Sequence, residues 1–192
     1  MTGARHYDIS WHCAQLASAE YCTLIESDVG YNFHGVAVLP RSGEPCRIEY
    51  SVSADAQWMP LVVESTITTP SRIRTIELRR RDAGWELDGD PATHLEGCGD
   101  VDLGWSPATN TIPIRRLNLD VGASASITAA WIRFPDLDVV RNEQRYTRLA
   151  DDIWRYEAGE YEFDLTVDTA TGLVLAYGDD LWQASATSRA RT

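Results

Sequence analysis

Residues 97–117 bring together several side chains that could bind a polar ligand or carry out acid–base chemistry. Asp100 and Asp102 are separated by one residue, so on an extended backbone both carboxylates project to the same face. Two prolines fix φ on either side of Asn110, which makes the surrounding chain stiff. The segment therefore predicts a preorganised polar loop at the mouth of a pocket.

The two aspartates have three possible roles. Glycosidases use two carboxylates placed about 5 to 9 Å apart across the scissile bond, and same-face residues such as Asp100 and Asp102 fall in that range. A hydrolase acting on a sugar or a lipid ester is thus one hypothesis. Asp-x-Asp pairs also bind arginine, and Arg115 and Arg116 are close in the sequence. Ion pairing, ligand binding and catalysis stay open for this pair, with ion pairing favoured.

Aromatic residues are the second chemical feature, with seven tryptophans and eight tyrosines. Aromatic rings pack on the C–H faces of sugars as well as against each other. Most should fill the core of a β protein, while Trp105 and Trp131 are the best candidates for ligand contact. The residues expected at a ligand site are Asp100, Asp102, Trp105, Asn110, Thr111, Arg115, Arg116, Trp131 and Tyr146.

Other catalytic and metal-binding patterns are missing from the sequence. It contains no Gly-x-Ser-x-Gly elbow, no phosphate-binding glycine loop and no His-Glu-x-x-His helix. The four histidines are scattered, and the four cysteines show no Cys-x-x-Cys spacing. We therefore expect a binding protein rather than an enzyme, with no catalytic residue, no metal and no cofactor.

The charge balance is strongly acidic, with a net charge of −12 and a pI near 4.6. Nucleic acid is an unfavourable partner, because phosphate binding depends on clustered cations. The sequence has neither a signal-peptide pattern nor an apolar run long enough to cross a bilayer. A cytoplasmic location is the expectation.

Apolar and polar residues alternate along much of the sequence, which predicts β-strands that position these groups. It is strict over residues 46–52 and 161–168 and looser over residues 20–28, 31–39, 61–68, 73–80, 126–134, 144–149, 153–157 and 173–177. Helices should be few and short: one beginning at Ser106 and Pro107 and ending at Pro113, and one near Asn142. The predicted fold is mainly β, an antiparallel sheet curled into a spiral roll or an unclosed barrel.

A longer pattern resembles that of a known family. The matching residues in the polar segment are Leu95, Gly97, Cys98, Asp100, Asp102, Leu103, Pro107, Thr109, Asn110, Thr111, Pro113, Ile114, Arg115, Arg116 and Leu117. Further matches run from Trp11 to Tyr177, including Glu20, Tyr50 and Tyr156. The chain is similar to the bacterial putative glycolipid-binding family.

That resemblance implies one mainly-β domain over residues 1–192, related in shape to bacterial carriers that hold lipid chains in an apolar cavity. Two pseudo-repeated lobes, about 1–120 and 121–186, are a possible subdivision. The leading hypothesis is a protein that binds a glycolipid or another amphiphile, with the Asp/Asn/Arg loop at the cavity mouth. The hydrolase through Asp100 and Asp102 and a protein-interaction domain are the alternatives.

Overall fold

The computed structural model describes residues 3–82, 84–179 and 181–188, and β-strands make up most of them. Buried and exposed residues alternate along these strands because successive side chains point to opposite faces of a sheet. The strands are β1 (Arg5–Cys13), β2 (Ser18–Ser27), β3 (Gly30–Arg41), β4 (Glu44–Asp55), β5 (Pro60–Thr68), β6 (Ile73–Arg81), β7 (Gly84–Leu87), β8 (Asp90–Pro91), β9 (Asp100–Leu103), β10 (Ser124–Ile132), β11 (Val139–Arg148), β12 (Ile153–Ala158), β13 (Tyr161–Val167), β14 (Val174–Tyr177) and β15 (Trp182–Thr187).

All the strands belong to one sheet of 15, in the order β8-β7-β6-β5-β4-β3-β2-β1-β15-β14-β13-β12-β11-β10-β9. The chain thus begins near the middle of the sheet and runs outward to the edge at β8. It then crosses to the opposite edge at β9 and returns to the middle. Every pairing is antiparallel except that of β9 with β10, and the sheet is not closed into a barrel. The predicted fold class is confirmed.

Contacts between distant strands show that the sheet curls on itself. The guanidinium of Arg41, at the end of β3, donates to the Pro135 carbonyl after β10 over 2.7 Å. Arg80 on β6 donates to the Gly99 carbonyl just before β9, also over 2.7 Å. One continuous hydrophobic core contains residues of both halves of the sheet. The two arms of the sheet therefore share a single interior.

The helices differ from the sequence prediction. Residues Ala108–Asn110 form a 3-10 helix, followed directly by α1 (Thr111–Leu117), so Pro113 lies inside a helix that it was expected to end. Proline is tolerated there because the first-turn N–H groups of a helix have no partner within it. The prediction of a helix near Asn142 was wrong, since that residue lies on β11. Its neighbours alternate between buried and exposed, which is the period of a strand.

Residues 104–117, here called the bracing segment, lie between the two halves of the sheet. Trp105 is fully buried, with its ring edge-on to Tyr50 on β4 at a centroid distance of 6.5 Å. On the other side, the Tyr146 hydroxyl of β11 donates to Asn110 Oδ1 over 2.8 Å. The segment thus joins the arm of β1–β8 to the arm of β9–β15.

A glycine opposite Tyr50 leaves the space that the Tyr50 ring occupies. Gly35 on β3 pairs with Tyr50 on β4, and a Cβ at Gly35 would lie 2.2 Å from the Tyr50 ring. We expect Gly35→Ala to lower the free energy of unfolding by about 1 to 3 kcal/mol, because the ring is overpacked and cannot withdraw into the buried core. Chemical denaturation measures the change. Gly99→Ala is the control, since its Cβ would enter open space; equal losses in the two variants would contradict the prediction.

Candidate functional site

A row of aromatic rings crosses one face of strands β11 to β14. Tyr146, Tyr156 and Phe163 are successive cross-strand partners, and Tyr177 packs between the last two. Neighbouring ring centroids are 5.2 to 6.2 Å apart, a range typical of favourable aromatic pairs. The exposed fraction rises from 1% at Tyr146 to 63% at Tyr161. The row therefore leads from the core to the protein surface.

All of these rings except Tyr146 line a cleft of about 650 Å³, here called the aromatic cleft. Its volume falls within the range of small-molecule sites, which combine apolar walls with a few polar groups. Two leucines, Leu16 and Leu181, extend the apolar wall. The aromatic members of the lining are Trp131, Tyr156, Tyr161, Phe163, Tyr177 and Trp182, and its polar members include Asp102, Ser106, Asn110 and Asn142.

Asp102 is the carboxylate of the aromatic cleft. It lies on β9 beside Trp131 of β10, and Gln144 Nε2 donates to Asp102 Oδ2 over 2.6 Å. Burial raises the pKa of Asp102 to about 6, with the Gln144 hydrogen bond acting in the opposite direction. Burial also raises the pKa of Tyr156 and Tyr177, and the charge of Asp102 raises both further. Both hydroxyls therefore stay protonated at neutral pH and can donate hydrogen bonds.

A second cleft of about 760 Å³, here called the polar cleft, adjoins the first. The two share Ala158 and Gly159 at the turn between β12 and β13. Gln144 lines the polar cleft while it donates to the carboxylate of the aromatic one. The charged lining residues of the polar cleft are Asp100, Arg116, Glu143, Arg145 and Glu157.

Asp100 and Arg116 form a buried ion pair. Arg116 Nε donates to Asp100 Oδ1 and Arg116 Nη2 donates to Asp100 Oδ2. The side chain of Asp100 is only 1% exposed. Burial raises the pKa of Asp100, and the charge and hydrogen bond of Arg116 oppose that rise. Asp100 and Asp102 share one face of β9, yet they line different clefts. The hydrolase hypothesis therefore lacks a pair formed by these two carboxylates in a single cleft.

The other expected site residues take different places. Arg115 donates to the Ala170 carbonyl over 3.2 Å and lies 5.7 Å from the ring centre of Trp58, outside both clefts. Thr111 is fully buried, and its hydroxyl has no hydrogen-bond partner among the described residues. Of the nine expected residues, Asp102, Asn110 and Trp131 line the aromatic cleft, Asp100 and Arg116 line the polar cleft, Trp105, Thr111 and Tyr146 are buried, and Arg115 lies elsewhere.

A buried carboxyl group supports the wall of the aromatic cleft from behind. Glu20 Oε1 on β2 accepts hydrogen bonds from the hydroxyls of Tyr50 and Ser106, the second over 2.6 Å. Glu20 Oε2 has no partner among the residues that the structure describes. Burial raises the pKa of Glu20 to about 7, against the effect of both hydrogen bonds. The group fixes Ser106 at the start of the bracing segment.

Several cleft residues were not expected from the sequence, including Asn142, Tyr156, Phe163, Tyr177 and Trp182. A partial signal exists, because the alternation over residues 161–168 places Tyr161 and Phe163 on one face of their strand. The missing information was the pairing register, which sets Phe163 opposite Tyr156 and Leu165 opposite Tyr177. Aromatic content alone does not tell which rings gather in one cleft.

Within residues 3–82, 84–179 and 181–188, no group of three or more His, Cys, Asp or Glu side chains could hold a metal ion. In that part of the chain no helix has the length and apolar character needed to span a membrane.

Comparison with known proteins identifies similar chains. A family model described as "Putative glycolipid-binding" matches residues 8–184. The fold is similar to the crystal structure, at 1.80 Å resolution, of a DUF1089 family protein from Pseudomonas aeruginosa, with a TM-score of 0.77 and 34% sequence identity. That match covers 86% of this chain and 91% of the other. No curated protein matches the chain.

Proposed function

This chain belongs to the putative glycolipid-binding family, and from that premise we propose that it binds an amphiphile with a sugar headgroup in the aromatic cleft. The headgroup lies near Asp102 and Asn110, where Gln144 of the polar cleft donates to Asp102. The apolar tail follows the ring of Phe163 toward Tyr161 at the surface. Binding and transfer, rather than bond cleavage, is the proposed activity.

The observation that carries the proposal is the continuous row of rings that ends beside a carboxylate and an amide. Such rings cover both the C–H face of a sugar and an alkyl chain, while Asp102 and Asn110 supply hydrogen-bonding groups for hydroxyls. A larger headgroup can extend toward the adjoining polar cleft, because Gln144, which lines that cleft, contacts Asp102 directly. The hydrolase and protein-interaction alternatives stay hypotheses, as does the expected cytoplasmic location.

The test is titration with alkyl glycosides of increasing chain length, followed by calorimetry below the micelle concentration. A tail that enters the cleft gains about 0.8 kcal/mol per buried methylene, so Kd should fall up to about fourfold with each added methylene. Native mass spectrometry of the same mixtures gives the stoichiometry, which should be one.

Matched variants tie the binding to the cleft. Phe163→Ala removes a ring from the middle of the row and should weaken binding of the longest glycoside by about tenfold or more. Tyr21→Ala is the control, because Tyr21 is 52% exposed on β2 and does not line the cleft. The proposal fails if no glycoside binds, if affinity is independent of tail length, or if the two variants lose affinity equally.

A further inference from the structure

The aromatic cleft is lined by acidic side chains and by no basic side chain among the described residues. Its ionisable lining groups are Asp102, Glu160 and three tyrosines, and its described lining includes neither arginine nor histidine. Tyr156 and Tyr177 stay neutral, because burial raises the pKa of each phenol. At neutral and higher pH the only formal charges on the cleft wall are therefore negative.

The nearest cations of the site already have partners within the chain. Arg116 in the polar cleft holds both oxygens of Asp100. Arg145, in the same cleft, lies 3.7 Å from Glu157 and donates to Ser124 Oγ over 2.6 Å. To pair fully with either arginine, a ligand anion would have to compete with the partners that the arginine already has. For Arg116 the exchange would leave the buried Asp100 unpaired, which is costly.

Asp102, by contrast, can still accept a hydrogen bond from a ligand. Gln144 occupies Oδ2, and Oδ1 accepts no hydrogen bond from the residues that the structure describes. The side chain is half-buried and lines the cleft between Trp131 and the bracing segment. A carboxylate in such a place binds hydroxyl or amino donors strongly, since charge-assisted hydrogen bonds are stronger than neutral ones.

We propose that the headgroup bound in the aromatic cleft presents hydrogen-bond donors and carries no negative charge, and that Asp102 selects it. This inference rests on the amphiphile-binding function proposed above. Asp102 accepts hydrogen bonds from hydroxyl or amino groups of the sugar. A phosphate, sulfate or carboxylate in the same place would meet Asp102 with no unengaged cation among the described cleft residues, and like charges in contact oppose binding.

The experiment compares two amphiphiles that share a tail and differ in the headgroup, dodecyl maltoside and dodecyl phosphate. Calorimetric titrations at pH 8, where Asp102 is ionised, give Kd for the wild type, for Asp102→Asn and for Asp164→Asn. The last is a matched control, because Asp164 is exposed on β13 and lines neither cleft. We expect the wild type and the control to bind the phosphate at least about tenfold more weakly than the maltoside. Asp102→Asn should reduce that ratio to about threefold or less, because it removes the negative charge.

Each result has a separate meaning. Equal or tighter binding of the phosphate by the wild type overturns the selectivity, while the amphiphile-binding function stands. A preference for the maltoside that survives in Asp102→Asn overturns the role of Asp102. Failure of both amphiphiles to bind the wild type overturns the function itself and this inference with it. The wild-type comparison stays decisive even where the variant does not fold.

Discussion

Replacing Arg116 by alanine is expected to lower the free energy of unfolding by about 3 to 5 kcal/mol. The loss is large because Asp100, with its side chain 1% exposed, would lose the guanidinium that now binds both oxygens and would have to stay charged in the interior or take up a proton. The pair also ties α1 to the first strand after the crossover, so the bracing segment should loosen. Denaturant titration followed by tryptophan fluorescence measures the change.

Two further variants separate the cost of an unpaired charge from the loss of a contact. Arg155→Ala removes an exposed partner of Asp164 and should cost far less stability than Arg116→Ala, because solvent screens exposed ion pairs. The double variant Asp100→Asn, Arg116→Ala removes both charges and should recover much of the stability lost in Arg116→Ala. Equal losses for the Arg116 and Arg155 variants, or a double variant no better than the single one, would refute the argument.

The stability of the protein is expected to fall as pH rises from about 4.5 to about 7. The pKa of Glu20 is raised from its ordinary 4.5 to about 7 in the folded protein. A group that holds its proton more tightly when folded contributes stability that is complete below the unfolded pKa and is lost as pH rises through the folded pKa. Asp102, with a pKa raised to about 6, acts in the same direction. The contribution of Glu20 is on the order of 3 kcal/mol.

Glu20→Gln provides the direct test, because an amide copies the protonated carboxyl and cannot ionise. The variant should be more stable than the wild type at pH 8, and its stability should vary less between pH 5 and pH 8. Denaturation at several pH values gives both quantities. Glu49→Gln on β4 is an exposed control that should leave the slope unchanged, as Glu49 has 44% of its side chain exposed. A wild type that gains stability over this range, or a Gln variant with an unaltered slope, would contradict the prediction.

Local alternation was enough to predict most of the fold. Each of the ten alternating segments overlaps a strand and ends within two residues of it, as the burial of Leu165 and Val167 beside the exposed Asp164 illustrates. The strands β1 and β15 were not among the predicted segments, although Ile9, Trp11 and Cys13 are buried and alternate with more exposed residues along β1. The parallel pairing of β9 with β10 was also unpredictable, since no short turn connects the two strands.

The candidate site was predictable only in part, because a cleft depends on contacts between distant segments. Asp102 is beside Trp131 through the parallel register of the edge strand β9 with its neighbour β10, which no spacing in the sequence encodes. The two pseudo-repeated lobes stay a prediction. Asp55, at the end of β4, and Asp168, just after β13, occupy similar turns, each accepting a backbone N–H over 2.8 Å from a residue two or three positions later.

The central position of β1 has a consequence for how the chain is made. During synthesis β1 emerges first, yet its second neighbour, β15, emerges after every other strand. Until then the middle of the sheet has an open hydrogen-bonding edge, and such edges promote association between chains. Within each arm, strands that are neighbours in the sequence can pair one after another as hairpins. Joining the two arms requires β1 to pair with β15, and pairing between such distant segments is slow. The period before β15 pairs with β1 is thus when the middle of the sheet is open to association with other chains.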